Sequence, residues 1–93
     1  MKSIYKYVIS DSLPFKDIFN ISMKKDAEIL KLDIQFGKIC IWCMIDSDND
    51  DEIRMFEIYG TGEKIKDLKI SKYIDTVQES DGRLVWHIFE IIN

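Results

Sequence analysis

The sequence predicts a mainly β protein, folded as a six- to seven-stranded antiparallel sandwich or partly open barrel. Runs of β-branched and aromatic residues, which favour strands, recur along the whole chain. Turn residues separate these runs at intervals of roughly 8–15 residues, a spacing typical of sandwiches and barrels. With 93 residues, of which 46% are hydrophobic, the chain can fill one core but not two. We therefore expect one domain across 1–93.

The clearest strand pattern lies at 27–36 and is followed by a second strand at 39–45. Apolar and polar residues alternate in the first of these, which places four apolar side chains on one face: Leu30, Leu32, Ile34 and Phe36. A tight turn at Gly37-Lys38 joins the two strands into a predicted β-hairpin. The other predicted strands cover 4–9, 15–23, 53–59, 73–78 and 84–92, and the last two pair through a turn at Asp81-Gly82. Between 64 and 72 the sequence predicts a loop with one short helical turn, or else an edge strand.

The predicted strand at 39–45 is apolar on both faces. An antiparallel strand with one face in water normally alternates apolar with polar residues. This strand should therefore lie between two packed layers, or a second subunit covers one of its faces. The second alternative predicts a homo-oligomer anchored by Trp42, because large aromatic residues dominate interface energies. Its main rival is that the segment 64–72 covers the face within one chain.

Two cysteines, Cys40 and Cys43, form a Cys-x-x-Cys within the same strand. Residues three apart on a strand point to opposite faces. That geometry suits neither a disulfide between the two thiols nor two ligands of one zinc ion. We expect two packed thiols, and we expect no resident metal or cofactor.

Composition and charge argue against several classes of partner. The formal net charge of −4 disfavours extended nucleic acid, whose binding needs a basic surface. No run approaches the ~18 apolar residues of a membrane span, and the first residues lack the apolar core of a signal peptide. We therefore expect a soluble, cytoplasmic protein with no membrane contact.

The acidic segment 46–52 partly matches a calcium-binding loop. Asp46, Asp48 and Asp50 take positions 1, 3 and 5 of that pattern, and Glu57 takes position 12. However, Asp51 stands where the sharp turn needs glycine, and the flanking residues predict strands instead of two helices. The sequence therefore favours a solvated hairpin loop without calcium.

His87 is the one histidine of the chain, and it shares a predicted strand face with Val85, Phe89 and Ile91. A lone histidine on an apolar face is most often a packing residue. No serine or cysteine with an acidic partner can be assigned to it, and no pair of carboxylates is arranged for hydrolysis. We therefore expect no catalytic residues, and a protein that is not an enzyme.

Aromatic residues on the predicted strands could stack on a base or on a partner's side chain. Gly60-Thr61-Gly62 is a fragment of a phosphate loop without its third glycine, so we interpret it as a turn that needs positive φ. Backbone N–H groups at such a turn can still face an anion. The predicted ligand-binding residues lie around this turn: Trp42, Arg54, Tyr59, Gly60 and Thr61.

Six segments of the chain form a recognisable series. They are Ile4-Tyr5-Lys6-Tyr7, Ala27-Glu28-Ile29-Leu30, Cys40-Ile41-Trp42 with Asp46, Ile58-Tyr59-Gly60-Thr61-Gly62, Tyr73-Ile74 with Thr76-Val77-Gln78, and Val85-Trp86-His87-Ile88-Phe89-Glu90. In this order they resemble an uncharacterised family of small β-rich proteins encoded by phages and prophages. The chain departs from that family at Glu63-Lys64-Ile65, where the family has a His-Pro pair, and over 12–25.

The resemblance implies a phage accessory protein, and small proteins of that kind are often antagonists of host defence. It carries over no activity and no catalytic residue. We therefore expect a non-enzymatic binding module that sequesters a nucleotide-like signal or blocks a host protein in the cytoplasm of the host cell. The alternative is a structural or regulatory homo-oligomer with no small-molecule ligand.

Overall fold

Seven strands form two antiparallel sheets that face each other. The computed structural model describes residues 1–10, 18–65, 71–79 and 82–92. Their strands are β1 (Lys2–Ser10), β2 (Ile18–Lys24), β3 (Glu28–Gln35), β4 (Lys38–Asp46), β5 (Asp51–Gly60), β6 (Ser71–Glu79) and β7 (Leu84–Ile91). One sheet has the order β1-β4-β3 and the other the order β2-β5-β7-β6. The predicted mainly β fold is confirmed, and the sheets do not close into a barrel.

The core lies between the sheets and is built from alternate residues of the central strands. On β4 these are Ile39, Ile41, Cys43 and Ile45, which are buried and belong to the same cluster as Phe56 and Ile88 of the opposite sheet. Side chains on one strand face recur every second residue, so a strand with this pattern buries one whole row. Strand β4 is flanked by β1 and β3, and β5 and β7 are both flanked within the second sheet.

The β3–β4 hairpin is confirmed, but its turn lies one residue earlier than the sequence predicts. Gln35 pairs with Lys38, so the two turn residues are Phe36 and Gly37. Both have positive φ, 52° and 74° respectively, as a type I′ turn requires. Phe36 is therefore a turn residue with a 92% exposed side chain, and its predicted place on the apolar face of the strand is wrong.

A β-bulge in β3 also changes the predicted strand face. The register with β4 shifts between Ile29 and Lys31, so an extra residue, Leu30, interrupts the alternation. Leu32 is buried in the core and Ile34 packs against it, as the sequence predicts. Leu30 is exposed, while Ile29 packs against the core instead.

The two cysteines lie on opposite faces of β4, as predicted. Cys43 belongs to the core between the sheets, and Cys40 lies on the outer face opposite Val8 and Asp33. Both are buried free thiols. On the outer face, the Lys6 ammonium donates to the Gln35 side-chain oxygen at 2.8 Å. Since β4 pairs with β1 on one side and with β3 on the other, this hydrogen bond crosses the outer face of β4.

The segment 64–72 holds no helical residue in its described part. Lys64 and Ile65 have no regular structure, and Ser71 and Lys72 begin strand β6. Ser71 and Lys72 thus extend the predicted strand 73–78 within β6, the outermost strand of its sheet, and the choice between a helical turn and a separate edge strand falls on residues 66–70. Residues 66–70 lie outside the described part of the chain, as do 15–17 of the predicted strand 15–23 and Asp81 of the predicted turn.

Candidate functional site

A type II turn ends strand β5 and forms one wall of a surface cleft. The Glu63 N–H donates to the Gly60 carbonyl at 3.1 Å, and Gly62 between them has a φ of +88°. Type II turns need positive φ at this third position, which favours glycine. A Cβ on Gly60 would meet Trp86 at an ordinary 3.6 Å. The turn thus requires glycine at 62, as the predicted positive φ implies, and not at 60.

The side chain of Glu63 folds back onto its own turn. Its Oε1 atom accepts a hydrogen bond from the Gly60 N–H at 3.0 Å. One backbone donor of the turn, the Gly60 N–H, is therefore already bound to a carboxylate of the chain. This contact reduces the number of N–H donors that the turn can offer to an anionic ligand.

Three aromatic rings line the outer face of the four-stranded sheet beside this turn. They come from three consecutive strands, with Tyr59 on β5, Phe89 on β7 and Tyr73 on β6. The Tyr59 and Phe89 centroids are 5.9 Å apart and those of Tyr73 and Phe89 are 5.5 Å apart, both edge to face. Edge-to-face contacts are a favoured geometry for aromatic pairs. Tyr59 is buried, whereas Tyr73 is 53% exposed and offers its ring to solvent.

Both ring nitrogens of His87 contact threonine hydroxyls, and one of these threonines, Thr61, also lines the cleft. Nε2 lies 2.8 Å from Thr61 Oγ1 and Nδ1 lies 2.9 Å from Thr76 Oγ1. Thr76 Oγ1 also lies 2.6 Å from the Tyr73 hydroxyl. A continuous row of hydrogen-bonding groups thus runs from Thr61 through His87 and Thr76 to Tyr73. The row fixes the imidazole from both sides.

The Thr61–His87 contact is the kind that an activated hydroxyl nucleophile needs. The second ring nitrogen, however, contacts the hydroxyl of Thr76 and not a carboxylate. An imidazolium formed by proton transfer from Thr61 would therefore lack the charged partner that stabilises it in a catalytic triad. We interpret the row as a fixed set of hydrogen-bonding groups for a ligand.

Together these residues enclose a cleft of about 270 Å³. Its principal side chains are Tyr59, Thr61, Glu63, Tyr73, His87 and Phe89. Among the described residues that line it, Glu63 is the only carboxylate and none is lysine or arginine. The cleft is therefore aromatic at its base, bears hydroxyl and imidazole groups along one side, and has a carboxylate on its turn.

Three of the five residues predicted to bind a ligand meet in this cleft, namely Tyr59, Gly60 and Thr61. The structure places the other two elsewhere. The sequence predicts a packing role for His87 and no role for Thr76. Thr76 and His87 are cross-strand partners in the β6–β7 hairpin, and such partners lie on the same face of a sheet. The register of that hairpin would therefore have predicted the contact between Thr76 and His87.

Arg54 lies on the inner face of β5 and forms a buried ion pair. Its Nε and Nη2 atoms donate to the two carboxylate oxygens of Glu90 at 2.6 and 2.8 Å, and Nη1 donates to the Ala27 carbonyl at 2.6 Å. The hydrogen bond and charge of Glu90 raise the pKa of Arg54. The guanidinium thus joins β5 and β7 to the residue that precedes β3 in the other sheet.

Trp42 lies on the outer face of the three-stranded sheet, on the opposite side of the molecule from the cleft. Its register partners are Lys6 on β1 and Lys31 on β3. Ile4, Val8 and Leu30 are exposed apolar residues of the same sheet. The described part of 64–72 does not cover this face, since Ile65 lines the cleft on the other sheet.

The acidic loop is closed by contacts within the chain. The Met1 ammonium lies 2.9 Å from Asp46 Oδ1 and 3.0 Å from Asp48 Oδ2, which raises the pKa of the ammonium and lowers that of Asp46. Glu57 lies within β5 and accepts from the Ser71 hydroxyl at 3.2 Å. The described residues contain no group of three or more histidine, cysteine, aspartate or glutamate side chains arranged to hold a metal. That the loop binds no calcium stays a prediction.

The fold and the cleft define an open, two-sheet antiparallel β protein with an aromatic, hydroxyl-lined surface cleft. A family model described as a domain of unknown function, DUF7352, matches residues 1–93. The chain therefore belongs to this family, and the match covers its whole length. No curated protein and no solved structure shows significant similarity to it. In the described residues no helix has the length and hydropathy needed to cross a membrane.

Proposed function

We propose that this chain is a small accessory protein of phage type that acts as a non-enzymatic binding module. In this proposal it antagonises antiviral defence in the cytoplasm of the host cell, either by blocking a host protein or by sequestering a nucleotide-like signal. The observation that carries the binding role is the cleft beside the Gly60–Glu63 turn. The phage context rests on the resemblance of the sequence motifs alone.

The cleft is suited to binding because its walls are held in place by contacts within the protein. The three aromatic rings contact one another, and His87 is fixed between Thr61 and Thr76. A ligand that enters such a site does not have to order these side chains itself, which reduces the entropic cost of binding. Small-molecule and side-chain pockets typically combine an apolar lining with a few placed polar groups.

Of the two proposed targets, the charges in the cleft favour a host protein over a nucleotide. A phosphate group needs positively charged or unoccupied N–H donors. The described lining contains neither lysine nor arginine, and the Gly60 N–H is bound to Glu63. These features favour binding of a nucleotide through its base, with its phosphates directed away from the Glu63 carboxylate.

Native mass spectrometry of the protein purified from infected cells tests the binding role. Tyr73→Ala removes the most exposed ring of the cleft and should abolish any co-purified mass that the wild type retains. Ile53→Ala is the matched control, because Ile53 is an exposed residue of β5 that does not line the cleft. A co-purified mass that survives both Tyr73→Ala and Thr61→Val would place the binding surface elsewhere and refute the role of the cleft.

A second candidate function is a structural or regulatory homo-oligomer. The observation that favours it is the outer face of the three-stranded sheet, where Trp42 shares the sheet surface with exposed Ile4 and Val8. A symmetric dimer that buries this face would remove apolar surface from water. Light scattering should then show a dimer for the wild type and a folded monomer for Trp42→Glu. If light scattering instead shows the wild type as a monomer of 11.0 kDa at ~100 μM, the homo-oligomer is excluded. That concentration is above the Kd of a stable interface.

A further inference from the structure

We propose that the cleft beside the Gly60–Glu63 turn binds the guanidinium group of an arginine presented by a partner protein. The inference rests on the proposed binding function and assigns the chemical class of the ligand. It follows from four features of the cleft: its carboxylate, its aromatic rings, its hydrogen-bond acceptors and its size.

The carboxylate of Glu63 is the charged group of the cleft. One of its oxygens accepts from the Gly60 N–H at 3.0 Å, which holds the side chain on the turn. A carboxylate has two oxygens and about four lone-pair positions, so this contact leaves acceptor capacity for a second donor. A guanidinium carries five N–H donors in a planar fork and pairs well with carboxylates.

The aromatic rings supply the surface on which a planar cation stacks. The ring of Tyr73 is half exposed and lies 5.5 Å from that of Phe89, with the two planes at 65°. A cation near the face of an aromatic ring is attracted by the negative charge above the ring. Arginine makes such contacts more often than lysine, because its guanidinium is flat and weakly hydrated.

The hydroxyl row provides further oxygen acceptors in the cleft. Thr61 and Tyr73 each carry a hydroxyl that contacts one neighbour in the row, and a hydroxyl oxygen has two lone pairs. These oxygens are suited to N–H donors of a bound guanidinium. They lie at the two ends of the row, with His87 and Thr76 between them.

The size and charge of the site favour a side chain over a nucleotide. Its volume of about 270 Å³ lies at the lower end of the range of roughly 300–1,000 Å³ typical of small-molecule pockets. An arginine side chain from a docked protein needs only a small recess, because the rest of the partner stays outside. The net charge of −4 also favours a basic partner, since complementary charge accelerates encounter.

A matched peptide pair tests the inference by NMR. The ¹⁵N-labelled protein is titrated with capped Gly-Ser-Arg-Ser-Gly, with the same peptide carrying citrulline in place of arginine, and with adenosine monophosphate. Citrulline keeps the shape of arginine but is uncharged. We expect the arginine peptide to shift the amides of Thr61, Glu63 and His87, with a Kd about fivefold lower than that of the citrulline peptide.

Two variants connect that difference to the proposed contacts. Glu63→Gln keeps an oxygen that can accept from Gly60 N–H but removes the charge, and it should reduce the preference for arginine over citrulline to about twofold or less. Asp33→Asn makes the same charge change on the outer face of the other sheet, at a carboxylate that likewise accepts from a backbone N–H, that of Ile34 at 2.8 Å, and should leave the preference intact. Tyr73→Leu keeps apolar bulk without a ring and should weaken both peptides.

The outcomes separate this inference from the binding function on which it rests. Equal affinities for the arginine and citrulline peptides would overturn the inference. Tighter binding of adenosine monophosphate, with shifts at the same amides, would overturn it as well and would leave the proposed binding module standing with a different ligand. A preference for arginine that survives Glu63→Gln would also contradict it, because the charge would then come from elsewhere.

Discussion

Replacing Phe36 with asparagine should stabilise the protein, although it removes a large hydrophobic side chain. Phe36 adopts a left-handed conformation, with φ of 52°, in the two-residue turn that it forms with Gly37. For residues with a bulky side chain this conformation costs roughly 1–2 kcal/mol. Asparagine tolerates it and, followed by glycine, is the preferred pair for a type I′ turn.

The magnitude follows from the strain and the exposure of the ring. Since the Phe36 side chain is 92% exposed, its removal forfeits little burial, and most of the relieved strain should appear as stability. We expect Phe36→Asn to raise the free energy of unfolding by about 0.5–1 kcal/mol. In a domain of this size, that corresponds to an increase in Tm of roughly 2–8 °C.

Urea denaturation followed by tryptophan fluorescence measures this change, with an unchanged m-value as the sign of a pure stability effect. Phe36→Leu is the control, because leucine removes the ring but keeps the unfavourable conformation, and its stability should equal that of the wild type. A Phe36→Asn variant that is no more stable than Phe36→Leu would refute the strain argument. It would show instead that the ring makes a stabilising contact.

Three further predictions concern the core, the thiols and the acidic loop. Arg54→Met should lower the free energy of unfolding by about 3 kcal/mol, because it leaves Glu90 buried without its partner. In the same urea assay, the double variant Arg54→Met with Glu90→Leu should be more stable than Arg54→Met alone. Additive losses of stability would contradict the ion-pair argument. Burial raises the pKa of Cys43 to about 11, so the thiolate that reacts with alkylating agents is scarce at pH 7.5. Mass spectrometry should therefore find Cys43 unmodified by iodoacetamide in the native protein and modified after unfolding. Rapid modification of Cys43 in the native protein would disprove this. Thermal melts in calcium and in a chelator should coincide, because Asp46 already binds the Met1 ammonium, and a rise of several degrees with calcium would show a metal site.

The features predicted correctly from the sequence depend on local patterns. The hairpin at 27–45 is predicted from the alternation of apolar and polar residues and from a glycine turn. The strand at 39–45 is predicted to be apolar on both faces from its composition. Both are read within about ten residues, where side-chain direction follows the strand period. The opposite orientation of Cys40 and Cys43 is predictable for the same reason, since only the spacing within one strand matters.

The features that escaped prediction depend on pairing between distant strands. Arg54 and Glu90 are separated by 36 residues, and their contact needs the order of strands and the register of both. The bulge at Leu30 leaves Leu32 and Ile34 on the predicted face, but it places Ile29 against the core where simple alternation would place Leu30. The sequence predicts the turn at Gly37-Lys38, one residue too late, because a phenylalanine with positive φ is uncommon.

The ion pair and the cleft are connected through strand β7. Glu90 faces the core and its neighbour Phe89 faces the cleft, because successive residues of a strand point to opposite sides. A slip of one residue between β5 and β7 would therefore direct Phe89 inward and Glu90 into the cleft. The bidentate contact between Arg54 and Glu90 is satisfied in one register, and that register sets His87 opposite Tyr59. A buried ion pair contributes less to stability than an apolar pair of the same volume, and specification of register is its best-attested use. We therefore infer that Arg54, which the sequence suggested as a ligand contact, serves the cleft indirectly by fixing the strand that carries His87 and Phe89.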